Sequence, residues 1–301
     1  MYSLQKILII GASGFIGRHL AQALLAEGHR VRCLARNPAQ LRDLAAAGCE
    51  IVEGDIADVV SVQRAVESTQ AIYISIHTLS PQQGDGRFME VEKAGLQSVI
   101  AACRSSGVQR VIYVTSLGIS PNEKSEWLRE RWHAEQSLLN SGLDATVIRP
   151  GYIIGVGGRG FDTIVSQARH RIALAMGGSK MRTIALDDLI YYLRGVLDEP
   201  RAFGHWYDVG NDDVLTPSQL IDITADILGR RPPIKIRMPL GLLGALAPLI
   251  ERMAKLPRGA IKGFVDAMKI DGIGDPLPIR KILPWPLLPL RDAVKRALAI
   301  T

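Results

Sequence analysis

The sequence has few cysteines and no pattern that would organise them. Its 301 residues include three, Cys33, Cys49 and Cys103, with no Cys-x-x-Cys pair and no Cys/His cluster. This argues against a disulfide framework and against a structural zinc site. We therefore expect three reduced packing residues and no metal site.

Long apolar runs are also missing. The longest strongly apolar stretch, 238–250, has 13 residues and contains two prolines and two glycines, whereas a membrane-spanning helix needs about 20 residues. Residues 7–10, the apolar run nearest the N-terminus, are too few for a signal-peptide core. We expect a cytoplasmic protein without a transmembrane segment.

Charge is unevenly distributed along the chain. The net charge is +6, yet residues 230–301 hold 14 Lys or Arg against 5 Asp or Glu, so this tail carries +9 and the rest −3. Aromatic residues make up only 5% of the chain, and no helix-turn-helix or zinc-finger pattern accompanies the basic tail, so we expect no nucleic-acid partner. A solvated basic face and peripheral contact with a membrane surface remain the alternatives.

Short apolar runs alternate with stretches of helical period over the first half of the chain. Strands are predicted at 6–10, 29–35, 50–53, 71–76, 110–115 and 145–149, with helices at 14–27, 39–47, 59–67, 86–105 and 125–140. This alternation is typical of a doubly wound α/β fold with a parallel sheet. The final sixty residues, rich in proline, are predicted to form a small irregular lobe.

A glycine motif, Gly11-x-x-Gly14-x-x-Gly17, lies between the first predicted strand and the helix after it. Glycines allow a tight turn and close approach of a pyrophosphate, which the N–H groups at a helix N-terminus bind. The pattern predicts a Rossmann NAD(P)-binding domain over residues 1–150, and a C-terminal region, 151–301, that completes the sheet and forms a substrate lobe. The predicted cofactor contacts in this motif are Gly11, Ser13, Gly14, Phe15, Ile16 and Gly17.

The end of the second strand indicates which dinucleotide binds. NAD binders carry an acid there for the ribose, whereas an arginine suits the 2′-phosphate of NADP. Here Ala35 is followed by Arg36, so NADP is predicted over NAD; the alternative is that Arg36 is a solvated surface charge. After the third strand, Asp55 and Ile56 are predicted beside the adenine, unless Asp55 only caps the next helix.

Together with residues 107–116, 134–139, 148–151 and 184–188, these motifs resemble the short-chain dehydrogenase/reductases of the atypical or extended kind. The chain is similar to the NmrA-like branch and to the nucleotide-binding accessory subunit of respiratory complex I. The resemblance implies a Rossmann fold and a nicotinamide cofactor, but it does not imply one reaction.

Active members of that superfamily carry a serine or threonine after the fifth strand and a Tyr-x-x-x-Lys pair on the next helix. This sequence keeps Ser116 but has Trp127 and Arg131 at the two helix positions. An indole only donates, and a guanidinium stays charged, so the proton-transfer pair is missing. Arg131 is expected to contact the cofactor. Ser116 and Tyr152 are the catalytic candidates, with packing between the lobes as the alternative for Tyr152.

Two functional classes remain open. The first is a reductase-type oxidoreductase that acts on a small substrate, in which the cofactor carries the chemistry. The second is a non-catalytic NADP(H)-binding redox sensor or assembly factor. Apolar runs at 239–250 and 282–290 in the basic tail suggest a lipophilic substrate drawn from a membrane surface. Core packing or a homodimer interface would use the same residues, and a monomer and a homodimer are both open.

Overall fold

The computed structural model describes residues 4–76, 88–176, 178–253, 256 and 259–300. The strands are β1 (Lys6–Ile10), β2 (Arg30–Ala35), β3 (Glu50–Glu53), β4 (Ala71–Ile74), β5 (Arg110–Val114), β6 (Asp144–Pro150), β7 (Tyr152–Ile154), β8 (Ile172–Met176), β9 (Met181–Ala185), β10 (His205–Val209), β11 (Val214–Leu215) and β12 (Ile234–Met238). The α-helices are α1 (Phe15–Ala26), α2 (Arg42–Ala46), α3 (Val59–Val66), α4 (Phe88–Ser106), α5 (Glu126–Leu139), α6 (Arg159–Arg169), α7 (Leu186–Gly195), α8 (Pro217–Ile227), α9 (Leu240–Met253), α10 (Ala260–Ala267), α11 (Leu277–Ile282) and α12 (Leu290–Ala297). Within the described ranges, no helix is long and apolar enough to cross a membrane.

A seven-stranded sheet forms the centre of the molecule, in the order β10-β6-β5-β4-β1-β2-β3. All its pairings are parallel. The chain moves outward in one direction from β1 to β3 and in the other from β4, so the winding direction switches between β1 and β4. Ligands of doubly wound sheets bind at the carboxyl ends of the strands beside such a switch point. The predicted fold class is confirmed.

Alternating residues of β1 fill two hydrophobic layers, one on each face of the sheet. Ile7 and Ile9 pack in the layer that contains α1 and α7, and Leu8 and Ile10 pack in the layer that contains α3, α4 and α5. A strand buried on both faces is expected in a parallel sheet covered by helices. This packing holds β1 rigidly beneath the loop that follows it.

A third core lies in the C-terminal region, where β11, β9 and β7 form a small sheet. Its centre includes Ile154, Phe161 and Leu220, all less than 5% exposed. Strands β8 and β12 pair separately as a two-stranded ribbon. The C-terminal region also supplies β10, the edge strand of the central sheet.

The expectation of an irregular final sixty residues is wrong, since α9 to α12 lie there. Several of the prolines that suggested irregularity stand where helices begin. Pro289 is the N-cap of α12, and Pro276 is the N-cap of α11. Proline is tolerated in the first turn because the backbone N–H is unpaired there in any residue. The predicted helix 39–47 is also corrected, to a 3₁₀ turn at Pro38–Leu41 followed by α2.

The three cysteines are buried free thiols, as expected. The pairing of β2 with β3 brings two of them together, because Cys33 lies on β2 and Cys49 directly precedes β3. Their Sγ atoms are 3.1 Å apart. Their separation in sequence gives no sign of this contact.

The helix α1 offers a direct test of the core. Leu20 is fully buried against the sheet, so Leu20→Ala should lower the free energy of unfolding by about 2–5 kcal/mol through lost burial and a residual cavity. Leu249→Ala, on α9, is the matched control: Leu249 is 57% exposed, and its loss should change stability by less than about 0.5 kcal/mol. Denaturant titration compares the two, and similar losses would contradict this description of the core.

Candidate functional site

The loop after β1 is shaped by two glycines in close contact. Gly11 has φ +102°, and a Cβ there would lie 2.1 Å from the Ser75 carbonyl oxygen after β4. A Cβ at Gly17 would lie 2.4 Å from the Gly11 carbonyl oxygen. The first position needs glycine for its conformation as well as for space. These contacts hold the start of α1 directly above the carboxyl end of β1.

The N-terminus of α1 is open toward the strand ends. Its N-cap is Gly14, which has no side chain to accept from the first-turn N–H groups, and the first turn holds no acid. Ser13 is exposed, and Phe15 and Ile16 are half-buried. Unpaired N–H groups and the positive end of the helix dipole make this a site for a phosphate or pyrophosphate. The geometry fits the predicted dinucleotide.

Phe15 also connects the loop to the C-terminal region. A Cβ at Gly155 would lie 2.8 Å from the Phe15 ring, and one at Gly158 would lie 2.9 Å from it. Glycines after β7 therefore make room for the aromatic ring at the start of α1. This contact fixes the segment after β7 against the candidate cofactor loop.

The ends of β2 and β3 place Arg36 and Asp55 side by side. The Arg36 Nε and the Asp55 Oδ2 are 3.9 Å apart, and their side chains are 52% and 39% exposed. Asp55 accepts from the Ala57 N–H at 2.9 Å, whereas Asp58 is the N-cap of α3. Asp55 therefore does not cap that helix, and the alternative drawn from the sequence is wrong. Ile56 is 8% exposed and packs against Gly95 of α4.

Arg18, in the first turns of α1, is a second arginine near the glycine loop, and its partners differ from those of Arg36. Arg18 of α1 is held by the carboxylate of Asp43 and by the Gln40 carbonyl oxygen. Among the described residues, the ion pair of Arg36 is the one with Asp55, at 3.9 Å. Arg36 is therefore the better placed of the two to receive a phosphate.

Ser116 follows β5 at the same edge of the sheet and is half-buried. Beneath it lies an ion-paired group that the sequence motifs do not reveal. The Thr115 hydroxyl donates to Glu135 Oε1 at 2.6 Å, and Arg149 Nε donates to Glu135 Oε2 at 3.0 Å. Burial raises the pKa of Glu135, and its hydrogen bonds with Arg149 and Thr115 oppose that rise. The group joins the end of β5 to α5 and β6, next to Ser116.

Trp127 and Arg131 form part of the packing between α5 and α4. The Arg131 guanidinium lies over the Trp127 ring, 5.1 Å from its centre, and its Nε is 3.3 Å from Glu92 Oε1. Glu92 also accepts from the Tyr113 hydroxyl, and burial together with the nearby carboxylate raises the pKa of Tyr113. Arg131 is only 4% exposed. Its predicted contact with the cofactor stays a prediction.

Tyr152 lies in the packing of the C-terminal region. It contacts the third hydrophobic core, and a Cβ at Gly160 of α6 would lie 3.0 Å from its hydroxyl oxygen. Burial, and secondarily the charge of Asp162, raise the pKa of Tyr152. These contacts favour the packing alternative. A catalytic role for Tyr152 stays a prediction, as does that of Ser116.

Comparison with known proteins agrees with this geometry. A family profile described as NAD(P)H-binding matches residues 11–172, more than half of the chain. The chain belongs to this NAD(P)H-binding family. Its relatives include a 2-alkyl-3-oxoalkanoate reductase and a sugar-lipid 4-epimerase.

Individual relatives are distant. Sterol demethylase protein B of Methylococcus capsulatus is 28% identical over 168 residues, which are 49% of this chain and 51% of that protein. The NADH dehydrogenase [ubiquinone] 1 alpha subcomplex subunit 9 of Arabidopsis thaliana is 26% identical over 257 residues, 79% of this chain and 61% of that protein. The chain thus spans about half to three-fifths of the length of these relatives. The predicted similarity to the complex I subunit is confirmed.

Solved structures share the fold over almost the whole chain. The NADPH-dependent quinone oxidoreductase QOR2 of Escherichia coli, complexed with NADPH, superimposes with a TM-score of 0.72 at 20% identity, covering 97% of this chain and 99% of that one. At this identity, the likeness shows a common fold.

The contact between Gly17 and Gly11 allows a test of the loop. Gly17→Ala places a methyl group 2.4 Å from a backbone oxygen, so the loop must shift, and we expect NADPH affinity to fall by at least about tenfold, since this contact positions the phosphate-binding N–H groups. Gly244→Ala, on α9, is the control, because nothing lies within 4 Å of its added methyl. Cofactor titration by fluorescence, with thermal unfolding of each variant, measures both. NADPH binding by Gly17→Ala as tight as that of the wild type would show that the cofactor binds elsewhere.

Proposed function

We propose that the protein is an NADP(H)-dependent reductase that transfers hydride to a small, lipophilic quinone or enone and works without a Tyr-x-x-x-Lys pair. The observation that carries this proposal is the packing of Trp127 and Arg131, which occupy the positions of the proton-transfer pair. Arg131 is ion-paired with Glu92 and lies over the Trp127 ring. An indole has no accessible proton equilibrium and a guanidinium stays charged, so neither side chain supplies a proton.

The preference for NADP(H) rests on the end of β2. A 2′-phosphate adds charge that an NAD ribose lacks, and a guanidinium binds phosphate through two parallel charge-assisted hydrogen bonds. Arg36 has a half-exposed side chain and only a 3.9 Å contact with Asp55. This leaves Arg36 available to the phosphate.

Without a proton-donating side chain, the protein can reduce only some classes of hydride acceptor. The cofactor supplies a hydride, and the acceptor is left as an anion that must take up a proton. An alkoxide from a simple ketone is about as basic as hydroxide, whereas a phenolate is a much weaker base, whose conjugate acid has a pKa of about 10. Each pKa unit corresponds to about 1.4 kcal/mol, so the delocalised anion is several kcal/mol less costly to leave unprotonated. Water, or the Ser116 hydroxyl, is a sufficient donor for such an anion.

The names of relatives are consistent with a reductase, but they do not indicate which hydride acceptor this protein uses. The Escherichia coli neighbour is named a quinone oxidoreductase, and another relative is named a 2-alkyl-3-oxoalkanoate reductase. The selection of quinones and enones therefore depends on the side chains of α5 in this chain.

A non-catalytic NADP(H)-binding protein is the second candidate. The packing of Tyr152 against Gly160 favours it. The tyrosine of the Tyr-x-x-x-Lys pair is already missing, and a packed Tyr152 leaves the candidate site without the other tyrosine proposed as a proton donor. Relatives named as a complex I subunit and as a photosystem II assembly factor support it as well. The two candidates share the cofactor site and differ only in turnover.

Removal of the Arg36 guanidinium tests cofactor choice. The wild type should bind NADPH more tightly than NADH by about 10- to 150-fold, since a charged hydrogen bond contributes about 1.5–3 kcal/mol. Arg36→Ala should erase most of this difference and leave NADH affinity unchanged. Arg30→Ala, exposed at the opposite end of β2, should keep it. Calorimetric titration of both cofactors gives the ratios, and equal affinities in the wild type would overturn the assignment.

Turnover separates the two candidates. With NADPH bound, a quinone or an α,β-unsaturated ketone should cause loss of NADPH absorbance, while simple alcohols should not reduce NADP⁺ above background, because general acid–base catalysis contributes about 10²–10⁴-fold. Strong alcohol-dependent reduction would show that a proton donor is present. Tight NADPH binding with no turnover on any acceptor would support the non-catalytic candidate instead.

A further inference from the structure

The ribbon of β8 and β12 presents aliphatic side chains to solvent. Ile172 pairs across the ribbon with Ile234, and Leu174 pairs with Ile236. Their exposed fractions are 55%, 72%, 44% and 51% in that order. Ala173, between two of them on β8, is 2% exposed and belongs to the third core. The ribbon therefore buries one face and leaves a row of large aliphatic residues unpartnered on the other.

The helix that follows the ribbon has the same character. Within one residue of the end of β12 the chain enters α9, which packs against α10. Positions four, three and four residues apart lie on one side of a helix, and at this spacing α9 has Leu242, Leu246, Leu249 and Met253, exposed by 55%, 44%, 57% and 78%. Ala247 and Glu251 are its buried side chains among those described.

Four arginines stand at one end of the ribbon. Arg169 and Arg171 precede β8, and Arg230 and Arg231 precede β12. Because the strands are parallel, both pairs lie at the same end, and Arg230 Nη1 donates to the Arg169 carbonyl oxygen at 2.7 Å. All four are exposed. Throughout the described residues, none has a carboxylate within ion-pairing distance.

The apolar run at 282–290 is separate from the ribbon, α9 and the four arginines. The Trp285 ring stacks on Tyr191 of α7 with centres 3.8 Å apart, and its Nε1 donates to Asp188 at 2.8 Å. This run is therefore packed on the body of the protein. We use the name basic apolar face for three features taken together: the ribbon row, the α9 row that follows β12 in the chain, and the four arginines at the start of the ribbon strands.

We propose that the basic apolar face docks on the surface of a bilayer that contains anionic lipid. Aliphatic side chains enter the boundary between headgroups and acyl chains, and the arginines bind lipid phosphates above it, as in proteins that lie in the membrane interface. Arginine suits this position because its planar guanidinium binds phosphate oxygens in pairs.

The positive charge of the basic apolar face favours an anionic bilayer over a second copy of the protein or a nucleic acid. A second copy would bring the same four unpaired arginines to the interface, and two of them lie on the segment 230–301, which carries +9. A nucleic acid would satisfy the arginines but leave eight aliphatic side chains exposed, and the two rows offer no aromatic ring on which a base stacks. An anionic bilayer complements both the cations and the apolar residues.

Flotation of the full-length protein tests the proposal. Phosphatidylcholine vesicles, with and without an equal amount of phosphatidylserine, are compared at low and high salt. The protein should float with the mixed vesicles at low salt, much less at high salt, and weakly with phosphatidylcholine alone, because the attraction is screened. No flotation with mixed vesicles at low salt overturns the proposal.

Two double variants identify the face. Arg230→Gln with Arg231→Gln should lower the partition coefficient for mixed vesicles by about 25-fold, since each arginine near an anionic surface contributes about a fivefold factor. Ile236→Gln with Leu249→Gln should lower it by at least about tenfold. The matched controls, Arg30→Gln and Val60→Gln, change an exposed arginine and a 71% exposed valine elsewhere, and they should float like the wild type.

Further measurements make the result specific. Each variant should keep the wild-type melting temperature and NADPH affinity, so a loss of flotation is not a loss of folding or of the proposed cofactor site. Equal flotation of all variants overturns the proposal. Two other results would also overturn it. One is a dimer, seen by light scattering, and the other is a complex with duplex DNA or RNA, seen by gel shift; either counts if the double variants lose it while they still bind vesicles.

Discussion

The close contact of Gly17 with the Gly11 carbonyl oxygen is the constraint on which the candidate site depends. It brings α1 down onto the end of β1, while Gly11 itself lies against the Ser75 carbonyl oxygen after β4. The helix therefore begins at the point where the winding direction of the sheet reverses. Its open N-terminus, the Arg36 and Asp55 side chains and Ser116 then share one edge of the sheet because parallel strands all end there.

The chemistry of the site depends on a second feature, the use of α5 for packing. In place of a phenol and an ammonium, this helix carries an indole and a guanidinium, and Glu92 neutralises the latter 39 positions away in the sequence. A buried charge needs such a partner, since an isolated one is far more costly to bury. The pair joins α4 to α5. In the proposed reductase it would leave proton delivery to water or a hydroxyl, which favours acceptors that form stable anions.

Much of this arrangement is predictable from local sequence pattern. Buried strands, the glycine loop and the absence of an acid beside Arg36 are properties of short segments, and the structure has strands and loop where the pattern indicates them. The rest depends on contacts between distant segments. Nothing near Arg131 in sequence indicates its pairing with Glu92, and nothing near Cys33 indicates its contact with Cys49. The prolines before α11 and α12 suggest irregular structure until the fold shows that they stand at helix starts. The packing of Tyr152 against Gly160 is likewise a tertiary contact.

A crystal structure of the protein with NADPH tests the central claim most directly, namely that this edge of the sheet holds NADP(H). We expect the pyrophosphate at the N–H groups of Phe15 and Ile16, and the 2′-phosphate within hydrogen-bonding distance of the Arg36 guanidinium. A cofactor bound at another surface would contradict it. So would a 2′-phosphate directed into solvent while Arg36 keeps its contact with Asp55.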